Sequence, residues 1–157
     1  MSRSTRATLA LSAAGAVFEV VTYDYDPDAD KIGMQAAEAI GVSADIVLKT
    51  LMAEVDGKPV CVVVPSNREV SMKKLAAAFK GKSANVMKPA LAEKVTGYVV
   101  GGISPFGQKK SVPTVFEAEA MAHEHVYMNG GQRGLQVRLS PQAAVAVLKA
   151  ITASVVA

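Results

Sequence analysis

Tryptophan is absent from the sequence, aromatic residues make up 5% of it, and there is one cysteine, Cys61. A lone cysteine excludes an internal disulfide and fits a reducing compartment. With so few rings, a core has to be assembled from Val, Ala, Leu, Ile and Met. No apolar run approaches the ~18 residues of a membrane span. Arg3 and Arg6, followed by Ala7-Thr8-Leu9-Ala10-Leu11-Ser12, faintly resemble a secretory leader, but the run is short and broken by Thr8 and Ser12. An amphipathic first helix is expected there instead, and a cytoplasmic location. Only two histidines occur, His123 and His125, and a metal site needs three or four ligands, so no metal is expected. Cys61 stands inside a run of valines, where a thiol is inert. G-x-S-x-G, the Walker loop and G-x-G-x-x-G are all missing. Ser104 precedes a proline, with no histidine placed to activate it. Cofactor-dependent, metal-dependent and nucleophile-based chemistries are thus poorly served.

What is present is half hydrophobic and one fifth charged over 157 residues, which fits one ordered domain spanning residues 1–157. The net charge of +3 is unevenly spread. From Glu19 to Asp56 there are nine acids and two bases, Lys31 and Lys49; from Lys73 to Lys110 there are eight lysines and one acid, Glu93. A basic half of this kind suits a phosphate-bearing partner, although scattered lysines also make an ordinary solvated surface.

Pattern and punctuation predict the elements. Residues 4–14 read as a helix closed by Gly15, and 17–23 as a strand. An acidic loop covers 24–30, with a short helix over 33–40 stopped by Gly41, and Ser43 is placed to cap one further turn. Residues 47–55 and 60–64 form a hairpin about Asp56-Gly57, the second strand apolar throughout and so buried on both faces. Ser71 caps a helix over 72–79 closed by Gly81, and Pro89 and Gly97 bracket another. A strand over 112–116, a helical turn over 117–122 and a strand over 125–128 follow. Asn129-Gly130-Gly131-Gln132 reads as a turn, 135–139 as a half-buried strand, and Ser140-Pro141 as the start of the last helix. Hairpins mixed with scattered helices predict an α+β domain around a mixed, partly closed β-sheet with flanking helices.

Two features carry chemistry. The stretch from Thr96 to Lys110 packs four glycines and a proline around Tyr98, Val99 and Val100 and closes on Lys109-Lys110. It is either a wide turn between strands or a loop presenting peptide N–H groups to a polar ligand. Lys49 interrupts a strand whose two faces are otherwise mostly apolar; it must snorkel to solvent or reach a cleft. Thr50, its neighbour, points to the opposite face.

Lys49-Thr50-Leu51, Thr96-Gly97-Tyr98 with Gly101 to Lys110, and Gly130-Gly131-Gln132-Arg133-Gly134-Leu135 together resemble the YbaK family, in register from Tyr23 through the last helix. These are freestanding trans-editing proteins typified by the Cys-tRNA(Pro) deacylase. The resemblance implies a six- to eight-stranded mixed sheet and cleavage of the aminoacyl ester of mischarged tRNA(Pro), by the substrate's own thiol or by water. It implies Lys49 as the essential lysine and the Gly101-Gly102 backbone as an oxyanion-type site. Tyr23, Ile32, Thr50, Tyr98, Asn129, Gly130 and Gln136 would contact the aminoacyl group. Lys109, Lys110 and Arg133 would contact the acceptor end of the tRNA. Prolyl-tRNA synthetase is a further implied partner; a cofactor, a membrane and DNA are not implied. Asn129, Gln136 and Ile32 depart from the serine, aspartate and aromatic of the cysteine-specific branch. Losing the aspartate removes a partner for the substrate's α-ammonium unless Asp24 or Asp26 replaces it. Sister branches remove Ala, Ser, Thr or 2-aminobutyrate, so an Ala- or 2-aminobutyryl-directed deacylase is an alternative. A non-catalytic module holding a nucleotide or RNA end is the rival from another class.

Overall fold

The computed structural model describes residues 4–28 and 32–157, with backbone alone at 32 and 33. The first element, α1 (Arg6–Ala13), starts at a capping box in which Thr5 accepts from Thr8 N and Thr8 returns the bond. It leads through Gly15, at φ 75°, into β1 (Glu19–Thr22). Next come α2 (Ile32–Ile40) and a 3-10 turn at Ala44–Ile46 that feeds β2 (Leu48–Val55). Asp56 and Gly57 both take positive φ, the geometry of the tight turn expected of that dipeptide, and β3 (Lys58–Pro65) returns antiparallel.

Ser71 caps α3 (Met72–Ala78) by accepting from Lys74 N. The left-handed residue after α3 is Lys80, at φ 57°, rather than the Gly81 expected from sequence. Gly81 is needed for room instead: a Cβ there would lie 2.3 Å from a Val55 methyl. Then follow β4 (Ala84–Val86), α4 (Pro89–Thr96), β5 (Thr114–Glu117), β6 (Val126–Gln132), β7 (Leu135–Leu139), α5 (Pro141–Leu148) and β8 (Ile151–Ala153). Pro89 opens α4 and Gly97 closes it at φ 81°, as expected.

The strands do not make one partly closed sheet. They divide into an antiparallel sheet in the order β1-β7-β6 and a mixed one in the order β4-β2-β3-β5-β8, neither of them closed. The larger sheet also takes in two short strands, β4 and β8, which the sequence pattern does not reveal. A second correction concerns Asn129–Gln132. These residues belong to β6, with a bulge between Asn129 and Gln132, and the turn falls on Arg133-Gly134. β7 is likewise not half-buried: Leu135, Gln136 and Val137 are all covered.

One face of the five-stranded sheet packs against β6, β7, α1, α4 and α5 through residues such as Leu48, Met52, Val63, Phe116, Met128 and Val137. Its other face is covered by Leu75 and Ala76 of α3 and by Val155. β3 is buried from Val60 to Pro65, as its run of valines requires. Among the described residues no helix is long and apolar enough to cross a membrane.

Candidate active site

The two sheets meet beside β2, and the seam is incomplete. β3 pairs with β2 along its whole length on one side. On the other side β4 pairs only with Ala53–Val55, and the backbone bridge from β6 falls at Val47, a single parallel bridge to Tyr127. The stretch Leu48–Leu51 therefore has no strand on that flank. Met52 already directs its C=O outward there, accepting from Met87 N at 3.1 Å. By strand alternation, Leu48 and Thr50 aim their peptide groups into the same opening. A cavity of about 420 Å³ occupies it, lined mainly by apolar groups, with Lys49, Thr50, Glu69, Gly101, Asn129 and Gln136 among its polar contributors.

Lys49 faces this cavity with its side chain 31% exposed, and its Nζ lies 3.9 Å from Glu69 Oε1. Thr50 also lines it, because the cavity runs along the strand edge and so meets side chains of both faces. The Thr50 hydroxyl is buried with no hydrogen-bond partner, and so is Gln136 Oε1. Gln136 is 4% exposed. Such groups are few in folded proteins, and in a cavity wall they await a ligand's complementary atoms. The register of the small sheet brings Gln136 beside Asn129: Gln136 lies opposite Val21 on β1 and opposite Asn129 on β6, so one row crosses all three strands.

The glycine-rich segment forms the facing wall. Arg133 Nε and Nη2 both donate to Val100 O, at 2.9 and 2.7 Å, while its guanidinium stacks 5.4 Å from the Tyr25 ring centre. Asn129 Nδ2 donates to Gly101 O at 3.2 Å, and Asn129 Oδ1 accepts from Gly131 N. Val100 N donates to Glu93 Oε2. Among the described residues the Gly101 N–H has no acceptor. Gly102 differs: its N–H donates to Val99 O at 2.8 Å, and the residue is buried outside the cavity wall. The oxyanion-type pair expected from sequence is thereby narrowed to Gly101. Gly101 itself stands at φ +91°, and a Cβ there would come 2.6 Å from the Tyr25 hydroxyl.

Other expected contacts fall elsewhere. Tyr98 is buried and donates its hydroxyl to Phe106 O at 2.5 Å, so it is a core residue and not a wall of the cavity. Burial raises its phenol to about 12, against a smaller lowering by Arg6. Gly130 is likewise away from the cavity; a side chain there would collide with Leu135, and its carbonyl accepts from Thr5 Oγ1. Tyr23 packs on Ala36, Ala37 and Val47 and lines a second, polar cleft with Asp24 and Arg133. Burial raises the Tyr23 phenol, and the Gly134 backbone and the Gln136 side chain lower it by less. Asp24 and Asp26 do not reach the cavity; Glu69 is the acidic side chain among its described lining residues. The side chain of Ile32 lies outside the described residues, although Met34 from the same helix lines the cavity.

Lys109 and Lys110 are exposed, and their backbone N–H groups bond Thr96 O and Val95 O at the far end of α4 from the cavity-lining Pro89 and Ala92. Arg6 and Lys109 both crowd Gly97, so Arg6 joins this basic cluster. Sequence reasoning missed Arg6, Tyr25 and Glu69, none of which belongs to a motif. The hydroxyls in the cavity wall are Thr50 and Ser66, and Ser66 is bound to Val47 O. The wall thus offers an ammonium group, a free peptide N–H and uncommitted amide and hydroxyl oxygens, with no cysteine or histidine among its described residues.

Residues 26–146 match the aminoacyl-tRNA editing domain family. A protein of Enterococcus faecalis, EbsC, named as a candidate Cys-tRNA(Pro)/Cys-tRNA(Cys) deacylase, is 36% identical over 124 residues, covering 77% of this chain and 75% of its own. A proline–tRNA ligase of Nitratidesulfovibrio vulgaris is 33% identical over 149 residues; that match takes in 90% of this chain but a quarter of the ligase. The fold also superposes on a crystal structure described as a candidate trans-editing enzyme for prolyl tRNA synthetase, with a TM-score of 0.85, 21% identity and 99% of each chain covered. The match over 26–146, together with a relative 36% identical across three quarters of its own length, places this chain in the aminoacyl-tRNA editing domain family.

Proposed function

We propose that the protein is a trans-editing deacylase that cleaves the ester of mischarged tRNA(Pro), with cysteine as the first aminoacyl group to test. The observation that carries this reading is the shared cavity of Lys49 and Gly101, with no cysteine or histidine among its described lining residues. An aminoacyl ester needs little activation. As water or the substrate's own thiol attacks, negative charge grows on the carbonyl oxygen, and the Gly101 N–H would receive it. Lys49 supplies positive charge beside the ester and a donor for the terminal ribose. Thr50 Oγ1 and Gln136 Oε1 are free to bond the aminoacyl group, and a site built to hydrogen-bond rejects analogues that lack the matching atom. EbsC's name supports cysteine; Gln136 in place of the family's aspartate keeps alanine and 2-aminobutyrate in the comparison.

The acceptor end would lie along α4, whose eight residues span roughly 12 Å from the cavity to Lys109, Lys110 and Arg6. That is the distance of one or two nucleotides, and the work would be done in the cytoplasm, with charged tRNA and prolyl-tRNA synthetase as partners. The test is release of amino acid from a panel of cysteinyl-, alanyl- and 2-aminobutyryl-tRNA(Pro), comparing wild type with Lys49→Ala. Deacylation above background that disappears in the variant supports the reading. Background release by both proteins, with tRNA still bound, makes the domain a binding module.

A further inference from the structure

Every aminoacyl ester carries an α-ammonium group, and here it must enter a cavity that already holds the cation of Lys49. Two ammonium groups in one apolar crevice repel unless an anion lies between them. Glu69 is the acidic side chain among the described lining residues, and Asp24 and Asp26 are elsewhere. Its carboxylate lies 3.9 Å from Lys49 Nζ, beyond a close hydrogen bond, and is 81% exposed, so most of its acceptor capacity is open.

The backbone beneath it is fixed. Glu69 O accepts from Ala157 N at 2.8 Å, Val70 bridges Val156, and Ser71 N donates to Val155 O. On the other side Arg68 is paired with Glu119 at 2.6 Å and donates to Ala157 O. That strip is tied in turn to the buried Glu117, whose Oε1 accepts from Val155 N and Val156 N.

Resting on the editing reading above, we infer that Glu69 is the receptor for the substrate's α-ammonium, and that it makes the site selective for α-amino acyl esters over acyl groups without the amine. Gln136 has a free oxygen but no charge, so it complements the donor without offsetting Lys49. Glu69 does both.

The experiment measures binding of two non-hydrolysable ligands, the amide-linked 3′-deoxy-3′-alanylamino-adenosine and its lactyl counterpart, which replaces the amine with a hydroxyl. Deacylation of alanyl- and lactyl-tRNA(Pro) is followed in parallel. Wild type should prefer the amine at least tenfold in Kd and in KM; Glu69→Gln should bring that preference below threefold, and Glu69→Asp should restore part of it. Equal losses for both ligands, or a fall in kcat alone, would mean that Glu69 only orients Lys49, and the inference fails. It fails too if wild type shows no preference for the amine. Should wild type neither bind nor hydrolyse any of the four, the inference fails, and if it also leaves cysteinyl-tRNA(Pro) intact the editing reading itself is wrong.

Discussion

Lys49 sits among aliphatic strand residues with one distant carboxylate for company, and removing its charge should leave the fold standing. Lys49→Ala is expected to lower deacylation by about a hundredfold or more, the usual effect of deleting an oriented charge donor, while the melting temperature stays within a few degrees of wild type. A large thermal shift would instead make the lysine part of the scaffold. Cys61 is the opposite case. It is fully buried, and burial pushes its thiol from 9.0 up to about 12, against weaker lowering by Thr114 and Gln108. The native protein should resist a thiol reagent at pH 8 that reacts at once after unfolding.

The same residue sets a pH dependence. A thiol that ionises near 9 when unfolded but near 12 when folded leaves stability intact below pH 9 and erodes it as pH climbs toward 12, since the unfolded chain releases the proton first. Tyr98, raised from 10.0 to about 12 by burial, adds to the loss above pH 10. Urea titrations at pH 8 and 10.5 should show the decline, and Cys61→Ala should reduce it. A flat profile would contradict the buried, protonated thiol.

At the scale of elements, the glycine-rich segment is held by what sits behind it. Gly107 has φ +65°, and a Cβ there would lie 2.4 Å from the backbone oxygen of Arg6. Gly107→Ala should therefore destabilise by roughly 2–4 kcal/mol, from the left-handed backbone and from the displacement of α1, and be read as a lower urea midpoint. The buried Glu117 acts similarly on the last strip of chain. Its carboxylate accepts from Val155 N, Val156 N and Glu119 N, and Glu117→Gln, which swaps one acceptor for a donor, should cost about 3 kcal/mol. Hydrogen exchange at residues 155 and 156 should rise first.

Legibility varied by element for physical reasons. Caps, prolines and the Asp56-Gly57 turn announce themselves, since each rests on backbone geometry that few residues allow; α1, α4, α5 and the β2–β3 hairpin were readable from them. The strands β4 and β8 are three residues each, too short for a period, and their existence depends on neighbours distant in sequence. Asn129–Gln132 looked like a turn because asparagine and glycine favour one, yet pairing with β7 and a bulge keep them in a strand. Within the candidate site, Lys49, Thr50 and Gly101 stand in the quoted motifs, Asn129 and Gln136 mark departures from the family pattern, and all five line the cavity. Tyr98 was misplaced because an aromatic beside glycines suits a core as well as a cavity wall. Glu69 had no local signal at all; only tertiary packing brings it to Lys49.

For the whole molecule, the seam between the sheets matters most. One bridge, Val47 to Tyr127, ties the small sheet to the flank of β2, and four residues beyond it stay unmatched. A guest lodged there would complete a row of peptide bonds that the chain leaves open and would fasten the two halves to each other. Occupancy should therefore stiffen amides on both sides of the crevice together, far from any atom the guest touches.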